Sequence, residues 1–246
     1  MRNIKVILQY EGTRYQGWQR QESTENTIQG RLEALLGRMC GERVEVHGSG
    51  RTDAGVHALG QTANFHIDTD KTPEEIMAYM NRYLPEDIAV IHASEMPERF
   101  HSRLHAKGKT YVYRVLNSPV PHIFDRRYVY QMAEELDIEA MRQAAGLLEG
   151  THDYRAFTSR KRGKKSTVRR VEAIGIERAG EEIRFTFRGE GFLYHMVRIL
   201  TGTLLEVGLH KRKAEEMGRL LAGGARESAG PLVPAKGLTL VEVRYW

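Results

Sequence analysis

Residues 4–10, with the sequence Ile-Lys-Val-Ile-Leu-Gln-Tyr, place an apolar side chain at every second position. This alternation is typical of a strand with one buried face. Further along, residues 26–29, Asn-Thr-Ile-Gln, resemble a helix cap. The apolar residues over 28–39 then recur at helical spacing. The opening of the chain therefore predicts a strand followed by a helix.

The same two patterns continue through the first half of the chain. Apolar spacing predicts strands over 43–48, 60–67 and 88–94. Before the last of these strands, residues 72–75, Thr-Pro-Glu-Glu, predict a helix start. Proline is favoured at the first helical position, and the second glutamate can close a capping box. The predicted order is strand, helix, strand, strand, helix, strand.

The second half repeats this order. Its predicted strands lie over 109–116, 168–176, 182–188 and 238–245, and its predicted helices over 137–148, 194–207 and 211–222. The doubled β-α-β-β-α-β order predicts an α+β fold with two pseudo-symmetric halves, each resembling a ferredoxin-like or RNA-recognition module. We expect one domain over residues 1–105 and a second over residues 106–246. A catalytic cleft is expected between them, with functional groups supplied by long loops.

The composition is that of a globular protein. The chain has 246 residues, of which 41% are hydrophobic, and its formal net charge is +5. No apolar run approaches the roughly 18–20 residues needed to cross a bilayer, and the first residues lack a signal-peptide core. The one cysteine, Cys40, excludes an internal disulfide and a multi-cysteine zinc site. We expect a cytoplasmic protein without membrane association.

Positive charge is concentrated in residues 160–170, which contain seven basic residues and no acidic one. Residues 161–167 carry turn formers and no apolar face, so a loop is expected. The run is explained either by a solvated surface or by contact with nucleic-acid phosphates. The candidate nucleic-acid-binding residues of this basic segment are Arg160, Lys161, Arg162, Lys164 and Lys165.

Residues 48–58, Gly-Ser-Gly-Arg-Thr-Asp-Ala-Gly-Val-His-Ala, are the most informative stretch for chemistry. Three glycines in eight residues between two predicted strands indicate a tightly turned loop whose backbone can approach a ligand. A dinucleotide-binding fingerprint requires glycine at the position of Asp53, and a Walker loop requires Gly-Lys-Ser/Thr. Both phosphate-binding motifs are therefore excluded.

Asp53 is the candidate reactive group of this loop. Arg51 is two residues away, so the two side chains can face the same side of an extended segment. A carboxylate beside cations stays ionised and can act as a nucleophile or a base. An aspartate that caps a turn is the commoner case, and the residues alone leave both roles open.

The run 50–58 resembles the signature of the TruA family of tRNA pseudouridine synthases. Further segments similar to that family follow in its order as far as about residue 200. They are Tyr10–Gln19, Thr27–Gln29, Phe100–Arg103, Lys109–Arg114, His152–Phe157 and Gly191–Arg198. The resemblance therefore rests on many separated blocks.

The resemblance implies an isomerase that converts uridine to pseudouridine at positions 38, 39 and 40 of the tRNA anticodon arm. It implies a homodimer that needs no metal or cofactor. Asp53 would be the catalytic nucleophile, and Arg198 the basic residue that pairs with its carboxylate. Tyr111 would pack on the target base, and Arg51 is a candidate substrate-binding residue. Tyr113 alternates with Tyr111 on a predicted strand, so it should face the opposite side.

Several alternatives remain open at the level of sequence. The carboxylate could attack C1′ of the nucleoside, attack C6 of the ring, or remove a proton from C2′. A catalytically silent RNA-binding or RNA-chaperone module is the rival class, because two RNA-recognition-like halves with basic loops would bind RNA without chemistry. A glycosidase is disfavoured, since no second acid lies near the motif.

The remaining candidates are expected to be structural. His101 and His105 are four residues apart, but the glutamate of a zinc-binding helix is missing and Arg103 would repel a cation, so no metal site is expected. His57 could act as a proton shuttle, but a structural hydrogen bond to the turn of its loop is expected. Cys40 is expected to be buried and inert.

Overall fold

The computed structural model describes residues 1–159 and 166–246. The chain divides into two compact units, of which the first contains residues 1–107 with 239–246 and the second contains residues 108–238. Both units combine helices with a mostly antiparallel sheet, so the predicted α+β class is confirmed. Among the described residues, no helix has the length and apolar character required to cross a membrane.

The first unit contains the predicted strand and helix order. Its elements are β1 (Arg2–Tyr10), α1 (Ile28–Cys40), β2 (Val46–Gly48), β3 (His57–Ile67), α2 (Pro73–Tyr83) and β4 (Ile88–Met96). Strand β1 lies between β3 and β4 and is antiparallel to both, and β2 pairs antiparallel with β3. The unit therefore has a sheet with two helices, as the apolar spacing and the helix-start signals of the first half predict.

Apolar pairing and helix capping explain why these elements form. Ile4 and Val6 on β1 are fully buried and lie opposite Phe65 and Ala63 on β3. Helix α2 has the predicted capping box, in which the Thr72 hydroxyl accepts a hydrogen bond from the Glu75 amide while the Glu75 carboxylate accepts one from the Thr72 amide.

The second unit repeats the arrangement with additional short strands. Its elements are β5 (Gly108–Asn117), β6 (Tyr130–Met132), α3 (Ile138–Leu147), β7 (Gly150–Asp153), β8 (Val168–Ala179), β9 (Glu182–Gly189), α4 (Met196–Gly208) and α5 (Glu216–Leu221). Strand β9 lies between β5 and β8 and is antiparallel to both. The order β5–β9–β8 corresponds to β1–β3–β2 of the first unit, which is consistent with two similar halves.

Two differences from the expected element order have local causes. Strands β6 and β7 have three and four residues, too few to show an alternating pattern. The predicted helix over 211–222 is wrong over its first part, because helical structure begins only at Glu216. His210 has a left-handed φ of 54°, which turns the chain after α4, and Arg212 pairs with Glu206 at 2.9 Å.

A final strand, β10 (Leu238–Arg244), pairs with the first unit. It runs parallel to β3, with Thr239 opposite His57 and Leu240 opposite Ala58. The Tyr245 hydroxyl donates a hydrogen bond to the Ser102 carbonyl at 2.7 Å. The first unit is therefore assembled from two segments of chain separated by the whole second unit.

A bidentate ion pair joins β5 and β9 in the second unit. Arg114 donates to both carboxylate oxygens of Glu182, at 2.9 and 2.7 Å, and Arg184 donates a further hydrogen bond at 2.5 Å. The hydrogen bonds from Arg114 are the main cause that lowers the pKa of Glu182 from 4.5 to about 2. The pair therefore stabilises the folded state when Glu182 is ionised.

This pKa shift predicts a pH-dependent stability. The folded-state pKa lies below the ordinary value, so the contribution is complete above pH 4.5 and is lost as the pH falls towards about 2. We expect Glu182→Gln to reduce the free energy of unfolding by about 1–3 kcal/mol at pH 7 and by less at pH 3, measured by urea unfolding. The exposed Glu139→Gln, in an i,i+3 pair with Arg142, should change it by less than about 0.5 kcal/mol. An equal deficit at both pH values would contradict the assignment.

Candidate active site

The glycine-bounded loop of residues 48–58 connects β2 to β3 and is held on the segment that follows β1. The Trp18 amide donates to the Thr52 carbonyl at 3.0 Å, and the Gly55 amide donates to the Tyr15 carbonyl at 3.3 Å. Within the loop, the Val56 amide donates to the Asp53 carbonyl at 3.1 Å. Asp53 is therefore the first residue of a turn whose backbone is tied on both sides.

Two glycines of the supporting segment allow this close approach. A Cβ added to Gly12 would lie 2.0 Å from the Val56 carbonyl oxygen, far inside van der Waals contact. Gly17 has a φ of +90°, and a Cβ there would lie 2.7 Å from the Thr52 carbonyl oxygen. The two backbones can touch only because neither position carries a side chain.

Buried polar side chains form hydrogen bonds with the loop. The hydroxyls of Tyr10 and Thr52 share a hydrogen bond of 2.8 Å. Gln61, which is fully buried on β3, donates to the Gly50 carbonyl at 3.0 Å and accepts from the Ser49 hydroxyl at 2.7 Å. Burial raises the pKa of Tyr10 to about 12, so its hydroxyl keeps its proton at neutral pH. The loop is thus fixed by buried, protonated or neutral partners.

His57 is held by the segment that follows β1, whereas the sequence predicts a hydrogen bond to the turn of its own loop. Its Nδ1 accepts a hydrogen bond from the Gly12 amide at 2.9 Å, and the same atom lies 3.5 Å from a carboxylate oxygen of Glu11. The ring is almost completely buried, with 3% of its surface exposed. His57 therefore links the end of the loop to the turn after β1.

Asp53 and Arg51 occupy different environments within the loop. Asp53 is half-buried and Arg51 is exposed. The Nε of Arg51 donates to Oε1 of Gln19 at 2.9 Å. The sequence predicts Arg51 as a substrate-binding residue, but it gives no indication that Gln19 would hold it.

Tyr111 lies in the second unit, on β5. Its ring is 8% exposed and meets the ring of Phe192 edge to face, with centroids 5.4 Å apart. Tyr113 is fully buried and donates to the Pro234 carbonyl at 2.7 Å. The two tyrosines thus have separate environments, as the alternation of a strand requires.

Arg198 lies in the first turn of α4, also in the second unit. Met196, Leu200 and Leu204 on this helix are buried, as predicted. The Nε of Arg198 donates to the Val233 carbonyl at 2.8 Å. The backbone of the helix lies close to the same connecting segment, because a Cβ on Gly202 would be 2.0 Å from the Pro231 carbonyl oxygen. Arg198 is therefore held by both its helix and this connection.

The other candidates have local explanations. The ring of His101 stacks on that of His47 at 4.9 Å, and the ring of His105 stacks on that of Phe100 at 5.8 Å. Cys40 is only partly buried, so the expectation of a buried thiol is wrong. Burial nevertheless raises its pKa, which disfavours the thiolate.

The five candidate tRNA-binding residues of the basic segment lie outside the described residues. Asp53 and Arg51 belong to the first unit, and Tyr111 and Arg198 belong to the second. Sequence reasoning missed the roles of Gln61 and Gln19. Gln61 gave no distinctive signal, because the same strand also carries the polar residues Thr62 and Asn64.

Comparison with known proteins identifies the family. A family model described as tRNA pseudouridine synthase matches residues 6–104 and 144–246. The "tRNA pseudouridine synthase A" of Bacillus sp. (strain KSM-64) is 44% identical over 245 residues and 100% of both chains. "tRNA pseudouridine synthase A 2" of Clostridium tetani is 44% identical over 99% of both chains. The enzyme of the same type from Acetivibrio thermocellus is 43% identical over 100% of both.

The chain belongs to the tRNA pseudouridine synthase family. The resemblance to the TruA family, drawn from the separated sequence blocks, is confirmed, because relatives named tRNA pseudouridine synthase A match this chain over their full length.

The contact between Gly12 and Val56 predicts that a single methyl group will impair the site. Gly12→Ala must displace one of the two backbones, and misplacement by about 1 Å can cost about a hundredfold in rate. We expect activity on tRNA to fall by about that factor, measured well below the unfolding temperature. Gly146→Ala is the control, because its Cβ meets nothing within 4 Å. Full activity of Gly12→Ala would show that the loop tolerates the shift.

Proposed function

We propose that this protein converts uridine to pseudouridine at positions 38, 39 and 40 of the tRNA anticodon arm, with Asp53 as the nucleophile. Membership of the tRNA pseudouridine synthase family supports the reaction class and the tRNA substrate. The observation that carries the assignment of Asp53 is the loop itself. A half-buried carboxylate stands on a turn whose backbone is hydrogen-bonded to a second segment on both sides.

The reaction requires a fixed reactive group and a sequestered base. The N1–C1′ glycosidic bond must break, the detached uracil must rotate, and C5 must then bond to C1′, with loss of the C5 proton and protonation of N1. A base inside a helix is unreachable for this chemistry, so the uridine must leave its stack. Rigid placement of the attacking oxygen lowers the barrier by removing the entropy of alignment.

Two residues of the second unit are assigned to the same reaction by the resemblance. Tyr111 would stack on the uracil, a contact worth about 1–3 kcal/mol per base. Its ring is already oriented by Phe192, which reduces the entropy that binding must remove. Arg198 would stabilise the ionised carboxylate, and its guanidinium is already oriented by the Val233 carbonyl.

We also propose that the protein acts in the cytoplasm as a homodimer without a metal or cofactor. The described residues include no group of three or more side chains suited to holding a metal ion. The reaction itself needs neither a redox step nor a Lewis acid, since it only exchanges the C1′–N1 bond for a C1′–C5 bond. Light scattering of the purified protein, alone and with tRNA, measures the assembly state.

The central prediction concerns Asp53→Asn. With purified protein, unmodified tRNA transcript labelled with tritium at uridine C5, and no added metal, we expect tritium release to fall by more than about a thousandfold. Binding should be unchanged or tighter, because a negative charge facing phosphates has been removed. The exposed Asp68→Asn is the matched control. Strong residual turnover would refute the nucleophile, and weaker binding would favour a structural role.

The same assay separates this proposal from the RNA-binding alternative. A silent RNA-binding module would bind the transcript without any tritium release from the wild-type protein. Carbodiimide-dependent primer-extension stops would then locate the modified positions. Stops confined to a region outside the anticodon arm would contradict the proposed substrate site while leaving the chemistry intact.

The basic segment gives a separate prediction about tRNA affinity. Replacing Lys161, Arg162, Lys164 and Lys165 together by serine should weaken tRNA binding and flatten its salt dependence. If all four contact phosphates, the slope of log affinity against log salt should decrease by about 3, at about 0.7–0.9 per charge. An unchanged slope would exclude the segment from the interface.

A further inference from the structure

A continuous chain of hydrogen bonds runs from helix α1 to Arg51. Gln29, on the first turn of α1, donates to the Val46 carbonyl at 3.0 Å and accepts from the Arg20 amide at 2.9 Å. Gln19 donates to the same oxygen of Gln29 at 2.7 Å. Gln19 then accepts from Nε of Arg51 at 2.9 Å. The exposed guanidinium is therefore linked to the backbone of the first unit.

The direction of every hydrogen bond in this chain is fixed by two backbone groups. A carbonyl can only accept and a backbone amide can only donate, so Val46 and Arg20 together determine which way the Gln29 amide points. The oxygen of Gln29 must then receive the NH₂ group of Gln19. This leaves the oxygen of Gln19 facing Arg51, which has donors only. A flip of either glutamine would place like groups against each other.

The base of the chain is buried and its end is exposed. Gln29 is 8% exposed, whereas Arg51 is an exposed residue. Glu33, one helical turn after Gln29, accepts a further bond from the Gln29 amide at 3.0 Å and one from the Val46 amide at 3.2 Å. Rotation of Gln29 would break the buried hydrogen bond to Val46 together with three part-buried ones, which is costly.

The hydrogen bond that Gln19 accepts uses only Nε of Arg51, so the two terminal amino groups of the guanidinium can still bind a ligand. Within residues 1–159 and 166–246, Arg51 forms no hydrogen bond or ion pair through its terminal amino groups. Because the guanidinium is planar, fixing Nε also fixes the plane in which these amino groups lie. Two coplanar amino groups match the paired oxygens of a phosphate, and such bidentate pairs are the strongest and most directional of their kind.

We propose that Gln19 is a positioning residue for tRNA, which acts by holding Arg51 in the orientation that binds a backbone phosphate. The proposal rests on the proposed function, in which Arg51 contacts the substrate. Pre-orientation favours binding because a long, exposed side chain otherwise loses rotational freedom when it forms the contact. Gln19 itself needs no contact with the RNA.

A double-mutant cycle tests whether Gln19 acts through Arg51. The variants are Gln19→Met, which keeps the volume and removes the amide, Arg51→Lys, which keeps the charge and removes Nε, and the combination. We expect each single variant to weaken tRNA binding about tenfold, and the double variant to be no weaker than Arg51→Lys alone, a coupling of about 1.4 kcal/mol. The dissociation constant is measured by filter binding, with tritium release in parallel.

Two further measurements distinguish positioning from a structural effect. Gln19→Met changes no charge, so the salt dependence of binding should keep its wild-type slope. Gln131→Met is the matched control, because its amide also donates to a backbone carbonyl, that of Ser118 at 3.1 Å. If Gln19→Met weakens binding equally in the wild-type protein and in the Arg51→Lys variant, it acts on the fold and the proposal is overturned. Wild-type binding by Gln19→Met would also overturn it.

Failure of the proposal is separable from failure of the proposed function. Arg51→Ala with wild-type tRNA affinity would overturn the role of Gln19, because there would be no Arg51 contact to position, while Asp53→Asn would still report on the reaction. Conversely, full turnover by Asp53→Asn would refute the role of Asp53 as the nucleophile. It would not change the binding coupling between Gln19 and Arg51, which is measured separately.

Discussion

The constraint on which the site depends is the contact of two backbones without intervening side chains. Gly12 and Gly17 bring the segment after β1 against residues 52–56, so that amides and carbonyls of the two segments pair directly. Hydrogen bonds between backbones have little freedom to lengthen in a close-packed environment. The position of Asp53 is thus determined by main-chain geometry, and side-chain rotamers have a smaller part in it.

The polar groups around the loop divide into two kinds. Tyr10, Ser49 and Gln61 are buried and satisfy one another or the loop backbone. They contribute rigidity, since a buried polar group that loses its partner is costly. Gln19 and Arg51 lie nearer the surface. The hydrogen bond between them fixes the orientation of the exposed Arg51 side chain. The orientation of the Arg51 guanidinium therefore depends, through Gln19, on the buried side-chain amide of Gln29.

Sequence patterns predicted the elements more completely than the site. The alternation in residues 4–10 and the capping box at Thr72 were confirmed, because strand burial and helix capping are local properties. Strands β6 and β7 were too short to produce a pattern. Asp53 stays a prediction, which rests on its glycine-rich neighbourhood and on the resemblance. Gln19 could not be found, because its partners Gln29 and Arg51 are distant in sequence and glutamine carries no distinctive signal.

The pairing of β10 with β3 has a consequence for the order of folding during synthesis. The residues opposite Thr239 and Leu240 are His57 and Ala58, which lie directly after the Asp53 turn. About 180 residues separate the two strands, and closing so long a loop is slow and entropically unfavourable. The sheet next to Asp53 therefore remains incomplete while the ribosome makes residues 108–238. The sheet of the first unit can therefore be completed only after the whole second unit has been synthesised.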